Sequence, residues 1–109
     1  LGYVLADHHG DLVESRRLIE KALAADPDNG AYVDSHGWLL FREGRIAEAR
    51  TQLERAIELT HGDSVVHEHL GDTYVQLGLT DLARRAYQAA KDAGGTNAAS
   101  AAAKLRTLR

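Results

Sequence analysis

The sequence predicts an all-α solenoid of antiparallel helix pairs, and two observations lead to this prediction. The first is a spacing of 34 residues that recurs among small residues, namely Gly10, Gly44 and Gly78, and Ala22, Ala56 and Ala90. A repeat of this length is a supersecondary unit that stacks on copies of itself, because one unit cannot bury its apolar face alone. The second is helical periodicity, which runs nearly throughout the chain.

Most of the positions that are identical between the two best-defined repeats hold glycine or alanine. Between residues 30–60 and 64–94, the identical pairs are Gly37/Gly71, Gly44/Gly78, Ala49/Ala83, Arg50/Arg84 and Ala56/Ala90. Close packing of helices requires small side chains where the helix axes approach. We therefore expect the shared alanines to be buried, and a larger residue at Gly37 or Ala56 to overpack the interface.

The predicted helices follow in order from the periodicity and the turn signals. They span residues 1–7, 11–25, 29–43, 45–60, 63–77, 79–93 and 97–108. The breaks between them fall at residues 8–10, 26–28, 44, 61–62, 78 and 94–95, where Gly, Pro, Asp or His residues are typical of helix ends and turns. Helices joined by so few residues must be antiparallel neighbours.

The last segment predicts a helix that covers one end of the array. Asn97 shares its register with Asn29 and Asp63, three residues of the types that cap helix N-termini. After it, Ala101, Leu105 and Leu108 form a narrow apolar stripe with basic residues around it. A terminal helix with a polar outer face is typical of solenoids. A disordered basic tail is the alternative, since a short Ala-rich helix is marginal unless it is docked.

The two best-defined repeat units resemble the tetratricopeptide repeat (TPR), a helix–turn–helix unit of 34 residues. The second unit contains Gly37, Leu40, Gly44, Ala49, Leu53 and Ala56; the third contains Leu70, Gly71, Tyr74, Gly78, Ala83, Tyr87 and Ala90. The resemblance implies a right-handed α-solenoid with a partial repeat at 1–29, repeats at 30–63 and 64–96, and a capping helix at 97–109. The strings LGYVLAD, DSHGWLLFREGR and HEHLGDTYVQLG are similar to TPR segments of bacterial envelope proteins.

The resemblance also implies where a partner would bind, because the first helix of each TPR pair lines the concave surface. The positions that this implies are Tyr3, Asp7, Asp34, Trp38, Phe41, Arg42, Glu68, Asp72, Val75 and Gln76. In the second unit these residues form one helical stripe opposite the small-residue side. Trp38 and Phe41 would then be partly accessible anchors, and the alternative is that they only fill gaps between helices.

The acidic residues of this surface favour a basic or aromatic partner segment. Some TPR proteins hold a peptide carboxylate with a basic clamp, but the matching positions here include Asp34, Glu68 and Asp72, which would repel it. The same three carboxylates can also be interpreted as an ordinary solvated face.

Composition argues against several other functions. The net charge of −3 gives no electrostatic basis for binding nucleic acid, and no apolar run is long enough for direct membrane insertion. The chain has no cysteine, and His67 and His69 would point about 200° apart on a helix, so a metal site is not expected. No catalytic triad, paired carboxylate or phosphate-binding loop is recognisable, and neither an enzyme nor a cofactor is predicted.

The sequence therefore predicts a non-catalytic scaffold that holds a protein or peptide segment on its concave face. Two alternatives are a structural or oligomerising solenoid segment and a regulatory appendage of an enzyme that lies elsewhere in the polypeptide. The first residue is Leu1, not Met, which suggests a piece of a longer protein. Truncation would leave an open solenoid end, and self-association through that end would be an artefact of it. Bacterial cytoplasm and cell envelope are both compatible with the sequence.

Overall fold

The computed structural model describes residues 9–108, which fold into six α-helices. In chain order these are α1 (His9–Ala25), α2 (Gly30–Arg42), α3 (Ile46–Thr60), α4 (Ser64–Gln76), α5 (Thr80–Ala93) and α6 (Ala98–Thr107). Residues 9–108 contain no strand, and the prediction of an all-α fold is confirmed. None of the helices in this part of the chain has the length and apolar character needed to cross a membrane.

Five of the six helices lie within one residue of their predicted bounds at both ends, and α1 is the exception. It begins at His9, so the predicted break at 8–10 is wrong for His9 and Gly10. A glycine lowers helix stability by about 1 kcal/mol relative to alanine, which a long helix tolerates. The predicted helix at 1–7 and His8 lie outside the described residues.

Side-chain caps begin α2 and α4, as the sequence predicted. The Asn29 side chain accepts a hydrogen bond from the Tyr32 backbone N–H at 3.1 Å. Asp63 Oδ1 accepts from the backbone N–H groups of Val65 at 2.8 Å and Val66 at 3.2 Å. Each cap satisfies donors that have no partner inside the helix.

The turns that follow α2 and α4 have the same geometry. Gly44 and Gly78 have φ values of +82° and +74°, in the left-handed region that favours glycine. Just after them, the Arg45 N–H donates to the Leu40 carbonyl and the Leu79 N–H donates to the Tyr74 carbonyl, both at 2.9 Å. The spacing of 34 residues between Gly44 and Gly78 therefore reflects the same turn geometry in both repeats.

Small residues allow the two helices of each pair to pack closely. A Cβ atom on Gly37 would lie 2.7 Å from Leu53 Cγ, and one on Gly71 would lie 2.4 Å from the Tyr87 ring. Other shared small positions, Ala49, Ala56, Ala83 and Ala90, are fully buried, as predicted. The first helices of consecutive repeats, α2 and α4, also touch each other, which joins the two pairs into a solenoid.

The last helix, α6, packs on α5 along the predicted apolar stripe. Ala101 is fully buried, and Leu105 and Leu108 are partly buried against the core. The prediction that Asn97 caps this helix with its side chain is wrong. Its amide group instead donates to the Ser64 carbonyl at 3.2 Å and to Glu68 Oε1 at 3.0 Å, so it joins α6 to α4.

Candidate functional site

The first helices α2 and α4 share a stack of three flat rings. Trp38 and Phe41, one turn apart on α2, have ring centroids 4.5 Å apart and planes inclined by 7°. His69 of α4 stacks on Trp38 with a centroid distance of 4.1 Å and an angle of 15°. All three residues are half-buried. The stack therefore fills space between neighbouring helices and also keeps part of its surface accessible.

A carboxylate fixes the orientation of the histidine in this stack. His69 Nδ1 lies 2.9 Å from Asp34 Oδ1, and the two side chains are 20 % and 16 % exposed. Because an ionised carboxylate only accepts hydrogen bonds, Nδ1 carries the proton that is shared in this contact. Asp34 thus holds the ring of His69 against Trp38, and its carboxylate is already engaged inside the chain.

Glu68 does not face an open groove, and that part of the site prediction is wrong. The residue is only 8 % exposed because α6 covers it. Its two carboxylate oxygens accept hydrogen bonds from Asn97 at 3.0 Å and from Ser100 at 2.6 Å, and Lys104 Nζ lies 2.8 Å away. Glu68 is therefore an anchor for the last helix.

Asp72 is engaged in the same way. It accepts from the Tyr87 hydroxyl at 2.5 Å and from Lys104 Nζ at 3.0 Å. Burial acts to raise the pKa of Glu68, but the hydrogen bonds from Lys104, Ser100 and Asn97 outweigh it and hold the pKa below its ordinary value. Burial likewise acts to lower the pKa of Lys104, and the two carboxylates raise it overall. Glu68 and Lys104 are therefore both ionised at neutral pH and form an ion pair.

These contacts weaken the physical basis for preferring a basic partner, because each carboxylate already accepts a hydrogen bond inside the chain. The preference rested on Asp34, Glu68 and Asp72, and each of them has an internal partner and is at least half-buried. The interpretation of these carboxylates as a solvated face is wrong for the same reason.

The other predicted groove residues differ in exposure. Val75, one repeat after Phe41 in the register, is 42 % exposed, Gln76 is exposed and Arg42 is half-buried. Tyr3 and Asp7 lie outside the described residues. That these residues bind a partner stays a prediction.

His69 is the member of this site that sequence reasoning missed. In the 34-residue register it aligns with Ser35, so a comparison of the repeats gives no reason to select it. Its contact with Trp38 is made between the second and third repeats, so it is not a feature that each repeat shares. A signal was present in the resemblance itself, because the first helices of TPR units lie side by side and an aromatic on one can reach the next.

The remaining described histidines form no metal site. His36 Nδ1 is 2.8 Å from the Gln52 amide nitrogen, and burial, with the nearby Arg16, lowers its pKa. Within the described residues, no group of three or more His, Asp or Glu side chains is placed to hold a metal ion.

Helix α1 exposes two large apolar side chains, which bear on the predicted self-association. Val13 is 65 % exposed and Leu18 is 53 % exposed. Five positions apart on a helix, they point about 140° away from each other, so they do not form one patch. Self-association through this part of the chain stays a prediction.

The model of the tetratricopeptide repeat family matches residues 35–98, which is more than half of the chain. This range covers most of α2, all of α3, α4 and α5, and the start of α6. The chain belongs to the tetratricopeptide repeat family.

Two curated proteins are similar to this chain over part of their length. A TPR repeat-containing protein of Pseudomonas aeruginosa is 42 % identical over 72 residues, which is 66 % of this chain and 12 % of that protein. A TPR repeat-containing thioredoxin of Arabidopsis thaliana is 29 % identical over 76 residues, or 70 % of this chain and 11 % of that protein. The chain thus spans about a ninth of the length of each relative.

Among solved structures, the chain is similar to PcrH in complex with the chaperone binding region of PopD. The TM-score is 0.79 at 18 % sequence identity, and the match covers 89 % of this chain and 77 % of PcrH. At this identity the likeness concerns the fold, and it agrees with the helical solenoid described above.

Proposed function

We propose that this chain is a non-catalytic interaction module that holds a segment of another protein on the face formed by α2 and α4. The observation that carries the proposal is the half-buried stack of Trp38, Phe41 and His69. Rigid aromatic rings at the centre of a surface are typical of residues that dominate binding energy in protein interfaces.

The contacts around the stack favour an apolar anchor in the partner. The nearby carboxylates are engaged inside the chain, and Val75, at the register position of Phe41, offers a further exposed apolar side chain. A partner segment that crosses from α2 to α4 would place an aromatic or aliphatic residue on the ring stack. Polar contacts would then come from the rim, where Gln76 is exposed.

Two further facts support a binding role over a catalytic one. Stacked helical repeats create extended concave surfaces that hold other chains, and a protein of similar fold, PcrH, is seen with a segment of PopD. The chain has no cysteine, so the thiol chemistry of a thioredoxin is not available to it.

A peptide-display selection tests this function directly. A random peptide library is selected on the wild-type protein, and binding of the enriched peptides is followed through the fluorescence of Trp38, the only tryptophan. We expect peptides that share an aromatic or large aliphatic residue and change this fluorescence. Their affinity should fall about tenfold or more for His69→Ala, because hot-spot truncations cost at least about 2 kcal/mol.

Tyr32→Ala provides the matched control. Tyr32 is an exposed ring on the same helix α2, 38 % accessible and outside the stack, so its removal should leave binding unchanged. Circular dichroism melts verify that both variants are folded. Peptides that bind His69→Ala and wild type equally, or that leave the Trp38 emission unaltered, would show that the ring stack is not the binding surface.

A further inference from the structure

A second concave feature lies between the second helices of the two complete repeats, α3 and α5. It is an open trough with a volume of about 420 Å³, within the range of about 300–1,000 Å³ in which proteins bind ligands. Its apolar lining consists of Ile57, Leu70, Tyr74, Leu82, Ala86 and Ala89. None of Trp38, Phe41 and His69 lines the trough, so the trough is separate from the ring stack.

The floor of the trough is apolar because its one phenol group is already satisfied. Leu70 and Tyr74 of α4 are 5 % and 7 % exposed and belong to the core. The Tyr74 hydroxyl donates to Glu54 at 2.6 Å, and Arg50 pairs with the same carboxylate oxygen at 2.9 Å. A partner side chain that contacts Leu70 and Tyr74 therefore meets hydrocarbon, and the Tyr74 hydroxyl needs no hydrogen bond from it.

One end of the trough carries His67 of α4, which is half-buried. Burial lowers the pKa of this imidazole, so it is neutral at neutral pH. The end of the trough thus adds no charge to its apolar lining.

The two walls of the trough carry opposite charges. Glu58 stands on α3 and Arg85 on α5, and both are exposed. Among residues 9–108, neither side chain has a hydrogen bond or ion pair, with each other or with a neighbour. An apolar channel between a free carboxylate and a free guanidinium is complementary to a surface with apolar residues between a cation and an anion.

We propose that this trough binds an amphipathic helix of a partner protein, with lysine or arginine along the α3 side and aspartate or glutamate along the α5 side. The walls have the spacing of helix ridges: Glu54 and Glu58 are one turn apart on α3, and Leu82, Ala86 and Ala89 cover two turns on α5. At 1.5 Å per residue, the α5 wall is about 10 Å long, which matches anchors at i, i+3, i+4 and i+7 of a docked helix.

Designed peptides provide the probe. Each is about 18 residues long, because shorter isolated helices are marginal in water, and carries one leucine stripe. The mixed peptide has lysines on one flank of the stripe and glutamates on the other, whereas the all-lysine peptide has lysines on both. Affinity is measured by fluorescence anisotropy and the contact surface by backbone amide chemical shifts.

We expect the mixed peptide to bind wild type about two- to fivefold more tightly than the all-lysine peptide, the range of an exposed ion pair. Arg85→Glu should reverse this order, because both walls are then acidic. Shift changes should centre on Leu82, Ala86 and Ala89, and Trp38 emission should stay constant. These results are independent of whether the ring stack binds anything.

Filling the trough gives the second test, with Ala89→Leu as the variant and Ala47→Leu, at an exposed position of α3, as the matched control. Ala89→Leu should weaken the mixed peptide about tenfold, as expected when a bulky side chain occupies a packed contact, and Ala47→Leu should not. Equal binding by both variants, or shift changes centred on α2, would overturn the proposal. The free protein could also form a dimer that Ala89→Leu abolishes. That result would show that a second copy of this chain occupies the trough, and it would overturn the proposal that a partner's helix binds there.

Discussion

At the scale of single residues, two glycines set how closely the helices of each pair approach. Gly37 faces Leu53, which is fully buried, and Gly71 faces the ring of Tyr87, which is 3 % exposed. The two partners differ in how far they can move. An aliphatic side chain can change rotamer, whereas the Tyr87 ring is also held by its hydroxyl group, which donates to Asp72 at 2.5 Å.

Gly71→Ala should therefore destabilise the protein although alanine is the better helix former. The new Cβ would lie 2.4 Å from the Tyr87 ring, and the ring cannot yield without losing its contact with Asp72. Overpacking costs about 1–3 kcal/mol and the gain in helix propensity offsets up to about 1 kcal/mol, so we expect a net loss of about 1–2 kcal/mol. Urea unfolding measures it.

The Tyr87→Leu background is the control for this substitution. Without the ring, Gly71→Ala has room and should be neutral or slightly stabilising. A loss of the same size in both backgrounds would mean that contact with Tyr87 is not the cause.

What recurs between repeats was predictable from the sequence, and what occurs once was not. The turn glycines and buried alanines stand in the same place in each unit, so the register indicated both. The pairing of His69 with Asp34 and its stacking on Trp38 occur at one junction, and Ser35 stands at the preceding register position. Comparison between repeats cannot detect a contact that only one pair of repeats makes.

At the scale of the helices, α6 shows why residue type alone does not fix a role. Asn97 has the type and the register of a helix cap, but its amide bonds to Ser64 and Glu68 instead. The same helix covers Glu68, which the resemblance to other TPR proteins placed on an open surface. Both errors come from one cause, since α6 packs beside α4 and satisfies its polar side chains. Apolar spacing predicted that α6 docks, but not which polar groups it would use.

The anchoring of α6 should depend on pH through Glu68. The pKa of this carboxyl in the folded protein lies below the ordinary value of 4.5, because Lys104, Ser100 and Asn97 outweigh burial. Its contribution to stability is therefore fully present above about pH 4.5 and is lost as the pH falls through the folded pKa. Lys104 sets the corresponding limit at high pH, because its pKa in the folded protein is raised above the ordinary value of 10.5. Its contribution to stability is fully present below about pH 10.5 and is lost as the pH rises through the pKa of the folded protein.

Glu68→Gln tests this dependence in urea unfolding at a series of pH values. The variant should be about 1–3 kcal/mol less stable than wild type at pH 7, the cost of weakening charged hydrogen bonds in a buried site. The two stabilities should converge as the pH falls below 4.5. Glu48→Gln, in an exposed pair with Arg45, should change stability by less than about 1 kcal/mol. Parallel curves for wild type and Glu68→Gln would show that this carboxyl does not anchor α6.

At the scale of the whole molecule, one core runs through both complete repeats. It extends from Val33 in α2 through Leu53 and Leu70 to Tyr87 in α5, and Leu105 and Leu108 pack against it after α5. In a solenoid each unit is stabilised by its neighbours, so total stability is close to a sum of units and the interfaces between them. Because α6 packs on α5 and covers the last interface, it should then stabilise the whole array of residues 9–108.

Deletion of residues 97–109 should lower the melting temperature and increase aggregation. The deletion removes the fully buried Ala101 and the two leucines and exposes apolar surface of α5. It also leaves Glu68 without its partners Asn97, Ser100 and Lys104. A loss of about 2 kcal/mol corresponds to a decrease on the order of 10 °C for a domain of this size. Lys104→Ala, which removes the ionic contact and keeps the apolar stripe, should give a smaller decrease. Circular dichroism melts and light scattering measure both effects. If the shortened protein melts at the wild-type temperature and stays soluble, α6 does not stabilise the array, and its contacts with Glu68 and Asp72 have no net energetic role.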